Sequence, residues 1–262
     1  MKINKKYNCL FIGNAIVDVV SEVSFDFLEK QKIEVGSWRP VSINEINELQ
    51  EEMSNTIIAS GGSAANSAVG FSLLGGRSAF IGRVKSDDFG SLYINDLKEA
   101  NVDFISNPVD TGNETGRCLV YVSPDAQRSM RTYLGAASNL SLENLDINAF
   151  ENSEIVYMEG YLWDEPVAKE AYKKAFDLSK KLEIKSALSL SDKFCVEKWR
   201  DEFRNLSENT DIVFGNEEEI MSLYDTNILS NAISAASNEL NLCIITRGEN
   251  CLLYTSPSPR DS

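Results

Sequence analysis

Carboxylates follow several apolar runs of this sequence, at positions where an α/β protein binds its ligands. Asp18 follows the first apolar run, in GNAIVDVV, and Glu159 ends a later one, in YMEGYL. A carboxylate accepts hydrogen bonds through both oxygens, so such residues suit a substrate with neighbouring hydroxyls. An aspartate after a strand is also an ordinary turn or cap residue, and the residue type alone favours that explanation.

Residues 61–90, GGSAANSAVGFSLLGGRSAFIGRVKSDDFG, have the most informative spacing. Gly61 and Gly62 precede a helical pattern of small residues. Glycine lets backbone come close to a ligand, and the amides at a helix start attract polar or anionic groups. Asn66 lies one turn beyond Gly62 and can point back toward the same pocket. Taken alone, the spacing favours a simple turn here and a C-cap at the later glycine pair, 75–76.

A second set of candidates follows two later apolar runs. Asn216 and Glu219, in GNEEE, lie about one helical turn apart on one face. Acidic residues in a first turn are ordinary partners of the helix dipole, and from the residues alone that explanation is preferred. Thr246 and Gly248, in ITRG, are as typical of a polar turn as of a ligand contact.

The chain contains no histidine. This excludes Ser-His-Asp and Cys-His nucleophilic sites, zinc sites built on histidine and histidine general bases. Proton transfer would have to use a carboxylate, lysine, tyrosine or water.

The elements that must position these residues alternate from Ser153 onward. The apolar runs EIVYME, SALSLS, DIVFG and LCIIT are separated by helical patterns, which predicts a parallel sheet covered on both faces. Segments of about 19–58 and 111–135 alternate with a period of two instead, and CLVYVSPDAQRSMRTYL predicts a hairpin. We predict an α/β fold: a Rossmann-like three-layer α/β/α core with a parallel-rich sheet, plus a small second sheet. The alternative is that these segments are edge strands of the main sheet.

Composition narrows the choice of partner and compartment. The chain has 262 residues and a formal net charge of -15, which argues against nucleic acid and against anionic membrane surfaces. No apolar run is long enough to cross a bilayer. The start MKINKKYNCLFIG predicts a buried first strand rather than a secretion signal, because Asn14 and Asp18 interrupt the apolar stretch. Five scattered cysteines suggest free thiols, so we expect a cytoplasmic protein.

Taken together, the motifs resemble those of the ribokinase-like (PfkB) carbohydrate and nucleoside kinases. The matching segments, in family order, are FIGNAIVDVV, the 61–90 stretch, TGRCLVYVSPDAQRSMRTYLG, DIVFGNEEE and CIITRG. The resemblance covers about residues 7–250 and is strongest to the adenosine-kinase-like branch, although Lys85 replaces a usual glycine. It implies an ATP- and Mg²⁺-dependent kinase that phosphorylates a primary hydroxyl of a nucleoside or sugar. Adenosine is favoured, and ribose and fructose are the alternatives.

The resemblance also assigns site residues. It implies a substrate site made of Asn14, Asp18, Gly61, Gly62 and Asn66, with Glu159 as a weaker contact. It places Asn216, Thr246 and Gly248 at the nucleotide, and Glu219 near Mg²⁺, through water. The second sheet would be a lid over the substrate, with Arg128 and Arg131 as candidates to reach the transferred phosphate. A homodimer through the lid stays open.

The family's catalytic base belongs to a GAGD motif, which these 262 residues do not contain, so no catalytic residue is assigned. We expect residues 1–250 to be an inactive kinase domain that lacks its C-terminal part. Residues 251–262, CLLYTSPSPRDS, resemble a translated sequencing adapter and are expected to be a non-native tail. A natural disordered terminus is the alternative. Two other hypotheses are a sugar- or nucleoside-binding protein without catalysis, and a fragment that does not fold stably.

Overall fold

The computed structural model describes residues 5–255. The strands in this range are β1 Tyr7–Ile12, β2 Ile16–Glu22, β3 Trp38–Pro40, β4 Ile57–Gly61, β5 Ser78–Ile81, β6 Val102–Phe104, β7 Gly116–Val122, β8 Arg128–Tyr133, β9 Ser153–Glu159, β10 Lys185–Ser189, β11 Ile212–Asn216, β12 Cys243–Thr246 and β13 Leu252–Thr255.

The helices of the same range connect these strands. They are α1 Phe25–Lys30, α2 Ile43–Glu51, α3 Ser63–Leu73, α4 Asp88–Glu99, α5 Ile147–Glu151, α6 Pro166–Lys181, α7 Lys193–Lys198, α8 Arg200–Glu208, α9 Glu217–Leu223 and α10 Leu229–Glu239. Short 3₁₀ turns span Gly135–Asn139, Leu142–Asn144, Gly160–Asp164 and Gly248–Asn250.

The main sheet has the strand order β13-β12-β11-β10-β9-β1-β5-β6. Every neighbouring pair is parallel except β12 and β13, which are antiparallel. The first strand, β1, lies between β9 and β5 and is largely buried. The predictions of a buried first strand and a parallel-rich sheet are therefore confirmed.

Helices lie on both faces of this sheet. On one face, α5 to α10 bury the larger core, which includes Met158, Phe203 and Ile245. On the other face, α3 and α4 pack against β1, β5 and β6, with Phe80 and Tyr93 at the centre. This arrangement confirms the predicted three-layer core, because each face of a parallel sheet must be covered.

A second sheet has the order β3-β8-β7-β2-β4 and is separate from the first. The predicted hairpin is confirmed as the antiparallel pair β7 and β8. The alternative of edge strands on the main sheet is therefore wrong. The sheet begins at Ile16 and its β4 ends at Gly61, so it is wider than the predicted 19–58 segment. Helices α1 and α2 cover one of its faces, and the other faces the main sheet's strand ends.

The segment after Gly248 forms a further strand. A 3₁₀ turn at Gly248–Asn250 leads into β13, which pairs with β12. Leu253 packs against the larger core, whereas Leu252 and Tyr254 are exposed, as the period of a strand requires. The rest of the predicted non-native tail, 256–262, lies outside the described residues, and the origin of the tail stays a prediction.

Candidate active site

A cavity of about 450 Å³ lies between the carboxyl ends of β1, β9 and β10 and the uncovered face of the second sheet. Its floor carries polar groups from the main sheet and α3. Its lining residues are Asn14, Ile16, Asp18, Val20, Trp38, Gly62, Ser63, Asn66, Cys118, Val120, Val122, Arg128, Met130, Thr132, Leu134, Glu159, Tyr161, Asp164, Asp192, Phe194 and Cys195. The carboxyl ends of parallel strands are where open α/β sheets bind ligands.

One wall of the cavity is broadly apolar. Every second residue of β2, β7 and β8 faces it, including Ile16, Val120 and Met130. The intervening residues, among them Leu119 and Tyr121, pack under α1 and α2. Because alternate side chains of a strand point to opposite faces, the sheet presents one apolar surface to its helices and another to the cavity. A ligand that is complementary to both the polar floor and the apolar wall of the cavity has polar groups on one side and an apolar surface on the other.

Asp18 lines the cavity with a partly desolvated carboxylate. Burial raises its pKa from 3.8 to about 6, partly opposed by the charge of Arg128. Among the described residues, no protein group donates a hydrogen bond to this carboxylate. A desolvated acceptor without a protein partner is arranged for a donor from a ligand.

Gly61 supports Asp18 from outside the cavity. It is buried and does not line the cavity, and a β-carbon there would overlap the Asp18 carboxyl group. Gly61 therefore lies behind Asp18 and leaves room for that side chain. A role in direct contact stays a prediction.

Gly62 and Asn14 meet at the start of α3. Gly62 has a φ of 92°, and a β-carbon there would overlap the carbonyl oxygen of Asn14. The Oδ1 atom of Asn14 is buried and has no hydrogen-bond partner within residues 5–255. Asn66 lies on the first turn of α3, exposed at the cavity edge. The predicted residues Asn14, Asp18, Gly62 and Asn66 therefore come together around one cavity.

Glu159 is fully buried and already holds three donors. Its Oε1 accepts from the Asn14 N–H at 2.6 Å, and its Oε2 accepts from the Ser63 hydroxyl at 2.6 Å and the Ala64 N–H at 2.9 Å. Burial raises the pKa of this carboxyl, and the same hydrogen bonds oppose that rise. Glu159 therefore connects the end of β9 to β1 and α3.

The predicted nucleotide residues lie further along the same sheet edge. Asn216 and Thr246 are exposed register partners at the ends of β11 and β12. Gly248 follows with a φ of 53° and open space around its α-carbon. These three residues lie near one another but outside the cavity lining.

Glu219 and Asn216 form a capping box at the start of α9. The Asn216 amide donates to Glu219 Oε1 at 2.7 Å, and the Glu219 N–H donates back to Asn216 Oδ1 at 2.8 Å. Burial raises the Glu219 pKa to about 6, and nearby Asp192 and Glu218 add to the rise. The Glu219 carboxylate accepts from Asn216 but has no cation paired with it within residues 5–255. It fits a hydrated divalent cation, although no group of three metal-ligating side chains converges in the same range.

The two candidate arginines of the hairpin face opposite ways. Arg128 lines the cavity, whereas Arg131 is buried on the helix side and donates to the Ser37 hydroxyl. The expectation that Arg131 could reach a transferred phosphate is therefore wrong. A spacing of three on a strand places two side chains on opposite faces.

Sequence reasoning missed several cavity residues. Asp192 is the N-cap of α7, the helix after β10, as Asn216 is the N-cap of α9, the helix after β11. The rule that found Asn216 could therefore have found Asp192. Phe194, 51% exposed, lines the cavity together with Tyr161 and Trp38. The sequence did not single them out, because a half-exposed aromatic residue cannot be distinguished from a core residue by its type alone.

No helix within residues 5–255 is both long and apolar enough to cross a membrane.

Residues 33–258 match the family described as pfkB family carbohydrate kinase. The chain belongs to the PfkB family. The prediction from the motifs is confirmed at this level.

Two solved structures are similar over nearly the whole chain. A probable sugar kinase from Rhizobium etli CFN 42 has a TM-score of 0.91 and 32% identity, covering 98% of this chain and 78% of that one. The adenosine kinase from Sinorhizobium meliloti has a TM-score of 0.90 and 36% identity, covering 98% and 79%.

Curated relatives of this PfkB chain include a probable fructokinase-6 from Arabidopsis thaliana. It is 30% identical over 212 residues, which is 75% of this chain and 54% of that protein. For it and two further Arabidopsis thaliana probable fructokinases, the chain spans 54%, 66% and 65% of their lengths.

Proposed function

We propose that this chain is the substrate-binding part of an ATP-dependent kinase that phosphorylates a primary hydroxyl of adenosine. The observation that carries the proposal is Asp18, a partly desolvated carboxylate that no group of residues 5–255 donates to, at the floor of a cavity with an apolar wall. Membership of the PfkB family supports a phosphotransferase acting on a sugar or nucleoside hydroxyl.

Each end of a nucleoside would meet a different part of the cavity. The ribose hydroxyls would donate to Asp18 and to Asn14 Oδ1, with Gly62 and Asn66 beside them. The base would lie against Phe194 and the apolar face of the second sheet. Stacking on an aromatic ring suits a flat base, whereas a free hexose offers little apolar surface.

Fructose and ribose are the alternative substrates. The names of the Arabidopsis thaliana relatives favour a fructokinase, and the Sinorhizobium meliloti neighbour favours adenosine. The apolar wall distinguishes the two, because a sugar without a base would leave it in contact with water.

The second half of the site would hold ATP and Mg²⁺. Asn216, Thr246 and Gly248 would lie along the phosphates and ribose of ATP, and Glu219 would hold the water shell of Mg²⁺. When bound, Mg²⁺ neutralises charge on the phosphates during transfer. Arg128 would approach the transferred phosphoryl group from the second sheet, which acts as a lid.

No residue of the 262 is proposed as the catalytic base, and we infer that this chain binds substrate without turnover. Calorimetry on the 262-residue chain with adenosine, ribose and fructose tests this directly. Tightest binding of adenosine supports the proposal, and weakest binding of adenosine contradicts it. Phosphoryl transfer by this chain would contradict the inference that its base is missing.

A long-read sequence of the source locus across the codons after Gly248 tests the proposed kinase as a whole. A reading frame that continues into a GAGD motif supports it. A natural gene that ends in CLLYTSPSPRDS contradicts it and leaves a binding protein.

We further propose a homodimer through the lid and a cytoplasmic location. Ile57, at the open edge of the second sheet, is 70% exposed, and its neighbour Ile58 is 39% exposed. Such apolar edge strands invite pairing. Analytical ultracentrifugation checks the dimer, with Ile57→Lys expected to leave a monomer.

The four buried free cysteines, Cys9, Cys118, Cys195 and Cys243, fit the reducing compartment that a cytoplasmic location would provide.

A further inference from the structure

Helix α3, which carries the proposed ribose contacts, has no side-chain cap of its own. Its N-cap residue is Gly62, which makes no side-chain hydrogen bond. A helix start leaves backbone N–H groups without partners inside the helix, and a buried start must find them elsewhere. Here the acceptor is Glu159, which takes the Ala64 N–H at 2.9 Å across 95 residues of sequence.

Glu159 in turn depends on this helix. The carboxyl group is fully buried, and no cation pairs with it in the described part of the chain. The positive end of the α3 dipole and three hydrogen bonds are what compensate its charge. Burial without those contacts would be costly. The helix start and the carboxylate therefore stabilise one another.

Tyr172 of α6 fixes the strand ends beneath Glu159. Its hydroxyl donates to the carbonyl oxygen of Ile12 at 2.9 Å and accepts from the Glu159 N–H at 3.0 Å. The ring is 1% exposed and does not line the cavity. One hydroxyl thus joins the carboxyl ends of β1 and β9, the two strands that lead to Asn14 and Glu159.

There is also little space for this arrangement to shift. A β-carbon at Gly13 would overlap both Ala64 and the Glu159 carboxyl group. The chain at Gly13, the start of α3 and the Glu159 side chain are therefore packed in van der Waals contact. A displacement of one of them moves the others.

We propose that Tyr172 and Glu159 are positioning residues of the substrate site, which hold Asn14 and the start of α3 in the geometry that binds ribose. Glu159 acts as a cap supplied from a distant strand, and Tyr172 holds Glu159. Tyr172 does not line the cavity and acts without touching the substrate. This inference rests on the proposed function, because it concerns the same cavity.

The chain offers a matched control for Tyr172. Tyr93 is also a fully buried tyrosine, and its hydroxyl has no hydrogen-bond partner within residues 5–255. Tyr172→Phe and Tyr93→Phe each remove one buried hydroxyl, but only the first removes hydrogen bonds to the strand ends. A difference between the variants therefore reports those hydrogen bonds.

The test has one readout without ligand and one with adenosine. In Tyr172→Phe, we expect the backbone amides of Asn14 and Ala64 to exchange with solvent about fivefold to tenfold faster, and adenosine to bind weaker by a similar factor. Tyr93→Phe is expected to match the parent chain in both. Unchanged exchange at Asn14 and Ala64 in Tyr172→Phe overturns the proposal, as does unchanged affinity where the parent binds adenosine.

The two readouts separate the two proposals. If the parent chain binds no adenosine, the proposed function fails, and amide exchange still decides whether Tyr172 holds the strand ends. Should Tyr172→Phe not fold, Glu159→Gln replaces it. This variant keeps the size of the side chain and is expected to speed exchange at Ala64, and unchanged exchange there contradicts the proposal.

Discussion

The two halves of the proposed active site are built differently. The substrate half joins groups from β1, β2, α3 and β9, which are distant in sequence, and contains two carboxylates, the half-buried Asp18 and the fully buried Glu159. The nucleotide half joins neighbouring strand ends, where Asn216, Thr246 and Gly248 are exposed, and contains the local pair of Asn216 and the buried Glu219. The first half depends on tertiary packing, whereas much of the second follows from one strand-to-helix turn. Mutations in the substrate half should therefore lower ligand affinity and the free energy of unfolding more than mutations in the nucleotide half.

The largest expected effect is the loss of binding in Asp18→Asn. The change removes the charge of a desolvated acceptor, so we expect adenosine affinity to fall by about 100-fold. Calorimetry at pH 7.5 measures it. The control is Glu22→Gln, an exposed carboxylate at the end of the same strand. Equal losses of adenosine affinity in the two variants would show that the effect comes from the change in net charge and not from the substrate site.

A pair of glycine variants compares the halves directly. Gly62→Ala combines a φ of 92° with overlap on the Asn14 carbonyl, and we expect a loss of about 3 kcal/mol in the free energy of unfolding. Gly248→Ala has a φ of 53° in open space, so about 1 kcal/mol is expected. Denaturant unfolding measures both. Similar costs would contradict the difference in packing.

The pH dependence should have opposite signs for binding and stability. Asp18 has an ordinary pKa of 3.8 and a folded pKa of about 6, so the folded protein takes up a proton as the pH falls through 6. Adenosine affinity should drop about tenfold from pH 7.5 to 5, because about one-tenth of the carboxyl groups stay ionised.

The free energy of unfolding should move the other way over the same range. Desolvation penalises the Asp18 carboxylate above pH 6, and protonation relieves this by about 1–2 kcal/mol before pH 4. Glu219, whose pKa is also about 6, adds a similar contribution. Urea unfolding from pH 7.5 to 4.5 measures the slope, and Asp18→Asn should flatten it. An unchanged slope in this variant would assign the titration to another group.

The smallest effect is expected in the nucleotide half. Asn216→Ala removes the capping box of α9, which should cost about 1 kcal/mol and weaken Mg·ATP binding several-fold. Ser42→Ala removes the N-cap of α2, which covers the second sheet. It should lower the free energy of unfolding by a similar amount and leave Mg·ATP affinity unchanged. Fluorescence titration with Mg·ATP compares them. If both variants lose affinity equally, the Asn216 effect is one of stability alone.

Local patterns predicted most elements correctly. The runs around β9, β10, β11 and β12 and the hairpin β7–β8 are strands because their period of two or their continuous apolar character requires it. The glycines at 61–62 marked the start of α3, and the residues after the strands marked the sheet edge. These signals span fewer than about twenty residues, so no packing information was needed.

Local patterns and motifs were enough to predict the alternation of strands and helices, the family and the candidate residues Asn14, Asp18, Gly62, Asn66 and Asn216. How the side chains are arranged around the site depends on the tertiary fold. Gly61 lies behind Asp18, Arg131 points away from the cavity, and Glu159 caps a helix 95 residues before it. Such contacts depend on which strand ends are brought together and on which face each side chain lies, and this is fixed by packing between segments rather than within them.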